Sequence, residues 1–184
     1  VEGLFARESA NILGGPAGYG KSWMLLDLAI ECARGGKWLG HFSLSPCRVL
    51  YIDEESSPNL LRKRLHKLLA GKKLHADNLD VHFCVGQGLC LSKPGSVERL
   101  RQLLDTSRPG LIIVDSLIRV HGAEENSASE MSRVFAVIKG WMREFQCAFL
   151  FADHQRKPGQ FGTSLDFMLR GSSEKTAFVD TLLS

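Results

Sequence analysis

Five short apolar runs alternate with four longer segments of helical periodicity along this 184-residue chain. The apolar runs are residues 9–13, 48–53, 81–85, 111–115 and 148–152, and the helical segments are 21–34, 57–69, 97–106 and 128–145. Neighbouring parallel strands need long crossover connections, and helices usually supply them. The alternation therefore predicts an α/β fold in which a mainly parallel, twisted sheet carries helices on both faces.

Three of the apolar runs end in an acidic residue. They read VLYID, LIIVD and AFLFAD, without the polar alternation of a strand that has one face in water. Such runs are typical of central strands buried on both faces. Because ligands of open α/β sheets bind outside the carboxyl ends of the strands, we expect Asp53, Asp115 and Asp153 to lie at one common edge.

The segment between the first apolar run and the first helical segment has the pattern G-x-x-x-x-G-K-[ST]. It reads Gly15-Pro16-Ala17-Gly18-Tyr19-Gly20-Lys21-Ser22. Small residues let successive backbone N–H groups converge on phosphates, and the start of the following helix adds its positive end. We predict that this loop binds the triphosphate of ATP, that Lys21 reaches the β- and γ-phosphates, and that Ser22 is a ligand of Mg²⁺.

The run Leu111 to Asp115, four apolar residues followed by an aspartate, has the form of a Walker B strand. Alone this motif is weak, since a buried strand followed by a helix-capping aspartate looks the same. Its position downstream of a phosphate loop favours the functional interpretation. We predict that Asp115 holds Mg²⁺, directly or through water.

Composition narrows the classes of protein to consider. The formal charge of +3 and the pI near 8.7 tolerate a nucleic-acid partner without requiring one. The five cysteines lack CxxC spacing, which argues against a disulfide framework and a zinc site. No apolar run approaches the roughly 20 residues that span a bilayer. We expect a cytoplasmic protein without a membrane partner.

We also expect residues 1–184 to form a single domain. Because the chain begins without Met and ends in an apolar segment, 179–183, that is typical of a strand, the domain is predicted to be a fragment of a longer protein.

Taken together, these motifs make the chain resemble the RecA-like ATPases, and within them the group of RepA-like hexameric replicative helicases. The resemblance covers nearly the whole chain and rests on GGPAGYGKS, VLYIDEESS, LIIVDSLIRVHGAEENSAS, FADHQRKPG and LRGSS. It implies a RecA-like core that hydrolyses ATP with Mg²⁺ and assembles as a homo-oligomer, a hexameric ring or a filament.

The resemblance also implies roles for individual residues. Glu55 would orient and deprotonate the attacking water, with Glu54 as the alternative. His154 would act as a sensor of the γ-phosphate. Arg170 would be the cation that completes the site of a neighbouring subunit, with Lys175 as the alternative. Together with Lys21, these form the predicted catalytic set.

In RecA-like proteins, the loops after the Walker B and sensor strands contact nucleic acid. The resemblance therefore implies that Arg119 and His121 in the first loop, and Arg156 and Lys157 in the second, contact phosphates of single-stranded DNA. The other basic cluster, residues 62–67, shares its segment with several leucines and is predicted to be a solvated helix face opposite a core stripe.

Several functions fit these expectations. The first is a motor that translocates on single-stranded nucleic acid, as a replicative helicase does. The alternative is a nucleotide-gated recombination or regulatory protein without helicase activity. A small-molecule kinase fits less well, because the sequence has no compact arginine-rich lid and Glu55 favours water as the nucleophile. A scaffold that binds nucleotide without turnover stays open.

Overall fold

Strands and helices alternate in the predicted order along the part of the chain that the computed structural model describes, residues 1–122, 128–154 and 174–183. The strands are β1 Ala10–Gly15, β2 Lys37–Trp38, β3 Phe42–Ser43, β4 Val49–Asp53, β5 Val81–Val85, β6 Leu111–Asp115, β7 Ala148–His154 and β8 Thr181–Leu183. The helices are α1 Lys21–Arg34, α2 Pro58–Lys72, α3 Pro94–Ser107, α4 Leu117–His121, α5 Ala128–Phe145 and α6 Glu174–Phe178, with a 3₁₀ turn at Ala76–Asn78.

The main sheet has six strands in the order β5-β4-β6-β7-β1-β8, and every pair in it is parallel. The predicted α/β fold is therefore confirmed. The apolar segment at the end of the chain contributes the edge strand β8, which pairs with β1. A small antiparallel pair, β2 and β3, lies outside the main sheet and has no counterpart in the sequence prediction.

The central strands bury side chains on both faces. In β6, Ile112 and Val114 join a core with α3, α4 and α5, whereas Leu111 and Ile113 join a second core with α1 and the segment before β1. All four side chains are at most 4% exposed. This arrangement explains why the strand sequences lack polar alternation.

Helix α2 packs less closely than its leucine stripe predicts. Ser57 caps its first turn by accepting the N–H of Leu60 at 3.3 Å, and Pro58 occupies the first turn, where its missing N–H is not needed. Only Leu61 and Leu69 are buried, and Leu60 is 42% exposed, so the predicted core stripe is incomplete.

Among the described residues, no helix has the length and hydrophobicity needed to span a bilayer.

Candidate nucleotide-binding site

Four neighbouring strands end at one edge of the sheet. The pairing register places Asp53 opposite Asp115 across β4 and β6, and Gly15 opposite His154 across β1 and β7. Asp153 pairs with Gly14 one position earlier. The three strand-end aspartates thus lie along the same edge as the start of the predicted phosphate loop.

The predicted phosphate loop joins β1 directly to α1. Gly18 and Gly20 have φ angles of 83° and 85°, in the left-handed region that residues with a Cβ rarely adopt. A Cβ at either position would meet no atom within 4 Å, so the backbone conformation, not crowding, requires glycine. The tip of the loop faces solvent, and Tyr19 is 77% exposed. The tip of the loop is therefore accessible to a ligand from solvent.

Lys21 lies across the inside of this loop. Its Nζ donates to the carbonyl oxygens of Gly15 at 2.7 Å and Pro16 at 2.9 Å. Burial lowers the pKa of Lys21, while the carboxylates of Asp115 and Glu55 act in the opposite direction. The ammonium group is thus held between the loop and the acidic strand ends, where a phosphate chain would find a positive charge.

Asp115 is 3% exposed and lies beside the start of α1. The Ser22 hydroxyl is hydrogen-bonded to its carboxylate, and the Tyr51 hydroxyl donates to its Oδ2 at 3.3 Å. Burial raises the pKa of Asp115, and the charges of Asp53 and Glu55 raise it further, against the lowering effect of the two hydrogen bonds. This concentration of negative charge and oxygen donors suits a hard divalent cation, so Ser22 and Asp115 fit the predicted Mg²⁺ site.

Tyr51 is a further member of this cluster, and no motif in the sequence marks it. It occupies an ordinary inward position in the apolar run VLYID, and it is fully buried. Burial raises the pKa of the Tyr51 hydroxyl well above its usual value, so the group is a neutral donor to Asp115. A tyrosine in a buried strand is the available signal, because a buried hydroxyl needs a partner.

The two glutamates after β4 point to different partners. Glu54 accepts the backbone N–H groups of Gln87, Gly88 and Leu89 at 3.0–3.2 Å, so its carboxylate fastens the loop after β5. Glu55 accepts a hydrogen bond from the Ser116 hydroxyl at 2.9 Å. The geometry therefore favours Glu55 over Glu54 as the carboxylate that faces the phosphate loop.

Asp53 stabilises the turn that follows β4. Its Oδ1 accepts the N–H groups of Glu55 at 2.9 Å and Ser56 at 2.7 Å. An aspartate that bonds the backbone two and three residues ahead stabilises a tight turn. Asp53 therefore positions Glu55 at the end of β4.

His154 lies close to the carboxylate of Glu55. Its Nε2 lies 3.6 Å from Oε2 of Glu55, and the imidazole is 25% exposed. Its Nδ1 is buried and has no hydrogen-bond partner among the described residues. The structure thus brings together Lys21, Glu55 and His154, while the role of His154 as a sensor stays a prediction.

Lys175, the alternative to Arg170, lies in a different environment from the one predicted. Its Nζ forms an ion pair with Oδ2 of Asp153 at 2.8 Å, and the two side chains are 0% and 1% exposed. A lysine buried against its own chain cannot extend into a neighbouring subunit. The alternative assignment is therefore wrong, because the tertiary fold uses this cation to neutralise a buried carboxylate.

The predicted nucleic-acid contacts separate into three groups. Arg119 is exposed on the short helix α4, at the site edge of the sheet. His121 lies on the same helix but is only 2% exposed, so its expected contact with phosphates is wrong. Arg156 and Lys157, like Arg170, lie outside the described residues.

A parallel sheet with a phosphate loop after one strand and acidic ends on the strands beside it is characteristic of a P-loop nucleotide-binding core. A family model described as AAA domain matches residues 1–160. The chain belongs to this family, within the RecA-like P-loop ATPases. The assignment to the RepA-like group stays a prediction.

Curated relatives are DNA repair proteins. The chain is 28% identical over 182 residues to the DNA repair protein RadA of Treponema pallidum (strain Nichols), a match that covers 97% of this chain and 32% of the relative. It is 24% identical over 159 residues to the DNA repair protein RadA of Mycobacterium tuberculosis (strain ATCC 25618 / H37Rv), covering 82% of this chain and 28% of the relative. The chain thus spans about a third of the length of the curated relatives it matches.

Proposed function

We propose that this chain binds ATP together with Mg²⁺ and hydrolyses it to ADP and phosphate. The main support is the convergence of Lys21, Asp115 and Glu55, which come from three different segments and lie at one edge of the sheet. A cation, a metal-binding carboxylate and a separate carboxylate for water are the groups that this reaction needs.

Binding of the nucleotide would use the phosphate loop. Its backbone N–H groups and the Lys21 ammonium would stabilise the negative charge of the β- and γ-phosphates. Ser22 and Asp115 would hold Mg²⁺, which neutralises charge on the phosphate oxygens when it is bound. Lys21 would exchange its two carbonyl partners in the loop for phosphate oxygens.

Glu55 would act as the general base. It would accept a proton from the water that attacks the γ-phosphorus, while the bond from that phosphorus to the bridging oxygen breaks and ADP leaves. The Ser116 hydroxyl supports this role because it already orients the Glu55 carboxylate. His154, next to the same oxygen, is well placed to respond when the γ-phosphate is lost.

We further propose that turnover is coupled to single-stranded DNA and requires a homo-oligomer, a hexameric ring or a filament. The DNA repair relatives support a nucleic-acid partner, and the exposed Arg119 supplies one candidate contact near the site. Arg156 and Lys157 are the further candidates, and Arg170 is proposed to complete the neighbouring subunit's site.

Two forms of coupling between ATP turnover and DNA are compatible with this proposal. A helicase-like motor would move along the strand, whereas a nucleotide-gated recombination or repair protein would only bind and release it. The names of the relatives favour the second form. An unwinding assay with the full-length protein and ATP separates them, since only the motor separates a duplex.

Calorimetry with Mg-ATP tests the nucleotide site without depending on assembly. The wild-type chain should bind, Lys21→Ala should lose binding, and Lys63→Ala, an exposed lysine on α2, should bind as wild type. Release of radiolabelled phosphate from the γ position then tests hydrolysis. The proposal is contradicted if a folded wild-type chain shows no heat of binding with Mg-ATP. Transfer of the label to a metabolite would indicate a kinase.

A further inference from the structure

Two cysteine thiols meet at the edge of the sheet opposite the nucleotide site. Cys32 lies in the last turn of α1, and Cys47 lies two residues before β4. Their Sγ atoms are 3.3 Å apart. The backbone N–H of Cys47 also donates to the carbonyl oxygen of Cys32 at 3.3 Å, so the two backbones are held side by side.

This separation is short enough for covalent bonding. A disulfide needs about 2.0 Å between the sulfurs and Cα atoms within roughly 7 Å, and a direct backbone hydrogen bond between the two residues meets the second condition. Closing the remaining gap needs side-chain rotation of Cys47, which is not fully buried. The fold therefore brings the pair together without CxxC spacing.

The pair borders an open cavity of about 930 Å³ between the start of the chain and the amino ends of the strands. Arg7, Arg48 and Arg108 also line this cavity. Cys47 is half-buried, whereas Cys32 is 5% exposed. A small oxidant can therefore reach Cys47 from solvent, with Cys32 directly behind it.

The electrostatic environment distinguishes the two thiols. The hydrogen bond shared with Cys32 lowers the pKa of Cys47, burial raises it, and the charges of the N-terminus and Arg7 lower it further. The same hydrogen bond and burial raise the pKa of Cys32. By contrast, burial raises the pKa of Cys147 to about 12, which makes that thiol unreactive. Cys47, which is also the more exposed of the two, is thus the thiol that a reagent from solvent meets first.

We propose that Cys32 and Cys47 form a redox-active thiol pair that a peroxide converts into an intramolecular disulfide. The Cys47 thiolate attacks one peroxide oxygen, the O–O bond breaks, the other oxygen leaves as hydroxide or alkoxide and takes up a proton, and Cys47 becomes a sulfenic acid. The Cys32 sulfur then attacks the Cys47 sulfur, its proton leaves, and water departs as the S–S bond forms. Two thiols lose two electrons in total, and the peroxide accepts them.

The disulfide would close the 32–47 loop, which contains β2 and β3. Restricting such a loop in the unfolded chain raises the melting temperature. It would also link the end of the phosphate-loop helix to the start of the strand that leads to Glu55. The nucleotide site lies at the opposite ends of both elements, so nucleotide affinity should change little.

Treatment of the purified chain with one equivalent of hydrogen peroxide tests the proposal. We expect the mass to fall by two hydrogen atoms, a peptide map to show one Cys32–Cys47 link, and dithiothreitol to reverse both changes. The oxidised chain should melt several degrees higher than the reduced chain. Before oxidation, a thiol-alkylating reagent should label Cys47 faster than Cys32 or Cys147.

Matched variants complete the test. Cys32→Ser and Cys47→Ser should each abolish the link, whereas Cys84→Ser and Cys147→Ser should form it as wild type does. In Cys32→Ser the sulfenic acid of Cys47 should persist and react with dimedone. The proposal is overturned if the wild-type map shows both cysteines free after oxidation, or if either pairs with Cys90 instead. None of these readouts depends on ATP hydrolysis.

Discussion

The hydroxyl of Ser116 donates a hydrogen bond to Oε2 of Glu55 at 2.9 Å, although the two residues are 61 positions apart. Ser116 directly follows the metal-site candidate Asp115, and Glu55 follows β4, the strand beside it in the sheet. One short contact therefore links the proposed metal ligand to the proposed general base. The Ser116 side of this bond is buried, at 1% exposure, whereas the Glu55 side chain is 39% exposed.

Ser116→Ala should lower kcat for ATP hydrolysis. A hydrogen bond to a charged group contributes about 1.5–3 kcal/mol, which corresponds to roughly 10- to 160-fold in rate if the whole effect falls on the orientation of Glu55. KM for ATP should stay near the wild-type value, and Ser116→Thr should recover most of the rate because it keeps the hydroxyl. Steady-state kinetics of the three proteins checks this. Equal loss in the Thr and Ala variants would contradict a positioning role.

Glu55→Gln should bind ATP and lose hydrolysis. Removing a general base reduces the rate by about 10²- to 10⁴-fold, while the amide keeps the size of the side chain. The matched variant is Glu54→Gln, which should keep most of its turnover, because Glu54 bonds the backbone of residues 87–89 instead of facing the site. Nucleotide binding and phosphate release are measured on both. The assignment fails if Glu54→Gln is the inactive protein.

Lys175→Met should destabilise the chain strongly. It removes the ammonium group that lies 2.8 Å from the carboxylate of Asp153, a side chain that is 1% exposed. Breaking a buried pair from one side costs about 3–5 kcal/mol. Urea denaturation should show this loss, and the double variant Asp153→Asn with Lys175→Met should regain much of it, because the buried carboxylate charge is removed together with the cation. A fully stable single variant would mean that the pair is not buried in solution.

Asp115→Asn should stabilise the ligand-free chain while abolishing Mg²⁺-dependent turnover. The pKa of Asp115 is raised above its ordinary value of 3.8, chiefly by burial, so the folded chain binds this proton more tightly than the unfolded chain does. The free energy of unfolding that depends on this group therefore falls as the pH rises through the raised pKa. At neutral pH the charged carboxylate is destabilising, and the neutral amide relieves that effect.

Melting curves over a range of pH check this last prediction. The advantage of Asp115→Asn over wild type should be full at neutral pH and should shrink as the pH falls toward 3.8. Added Mg-ATP should raise the melting temperature of wild type only. An advantage that grows as the pH falls would show that the sign is wrong.

Much of the fold could be predicted because its signals are local. The lengths and periodicities of the runs separate strands from helices, and the absence of polar alternation in LIIVD indicates burial on both faces. The sheet order could not be predicted in the same way. Strands β1 and β7 pair although 138 positions separate Asn11 from Phe149, and such a pairing depends on how both cores pack.

The candidate site also has one part that could be predicted from the sequence and one part that could not. The loop from Gly15 to Ser22 could be predicted because consecutive residues set its backbone geometry, and the positive φ of Gly20 needs glycine whatever surrounds it. The choice between Glu54 and Glu55 could not, because the partners that decide it, the loop at 87–89 and Ser116, lie 33 and 61 positions away.

The sequence by itself determined the α/β class, the phosphate loop and the strand ends that carry Asp53, Asp115 and Asp153. Each of these follows from the conformational preferences and polarity of neighbouring residues. Only the tertiary structure decided which glutamate faces the loop, that Lys175 is buried against Asp153, and that Cys32 meets Cys47. These contacts join segments distant along the chain, and the packing of helices on both faces of the sheet sets where such segments meet.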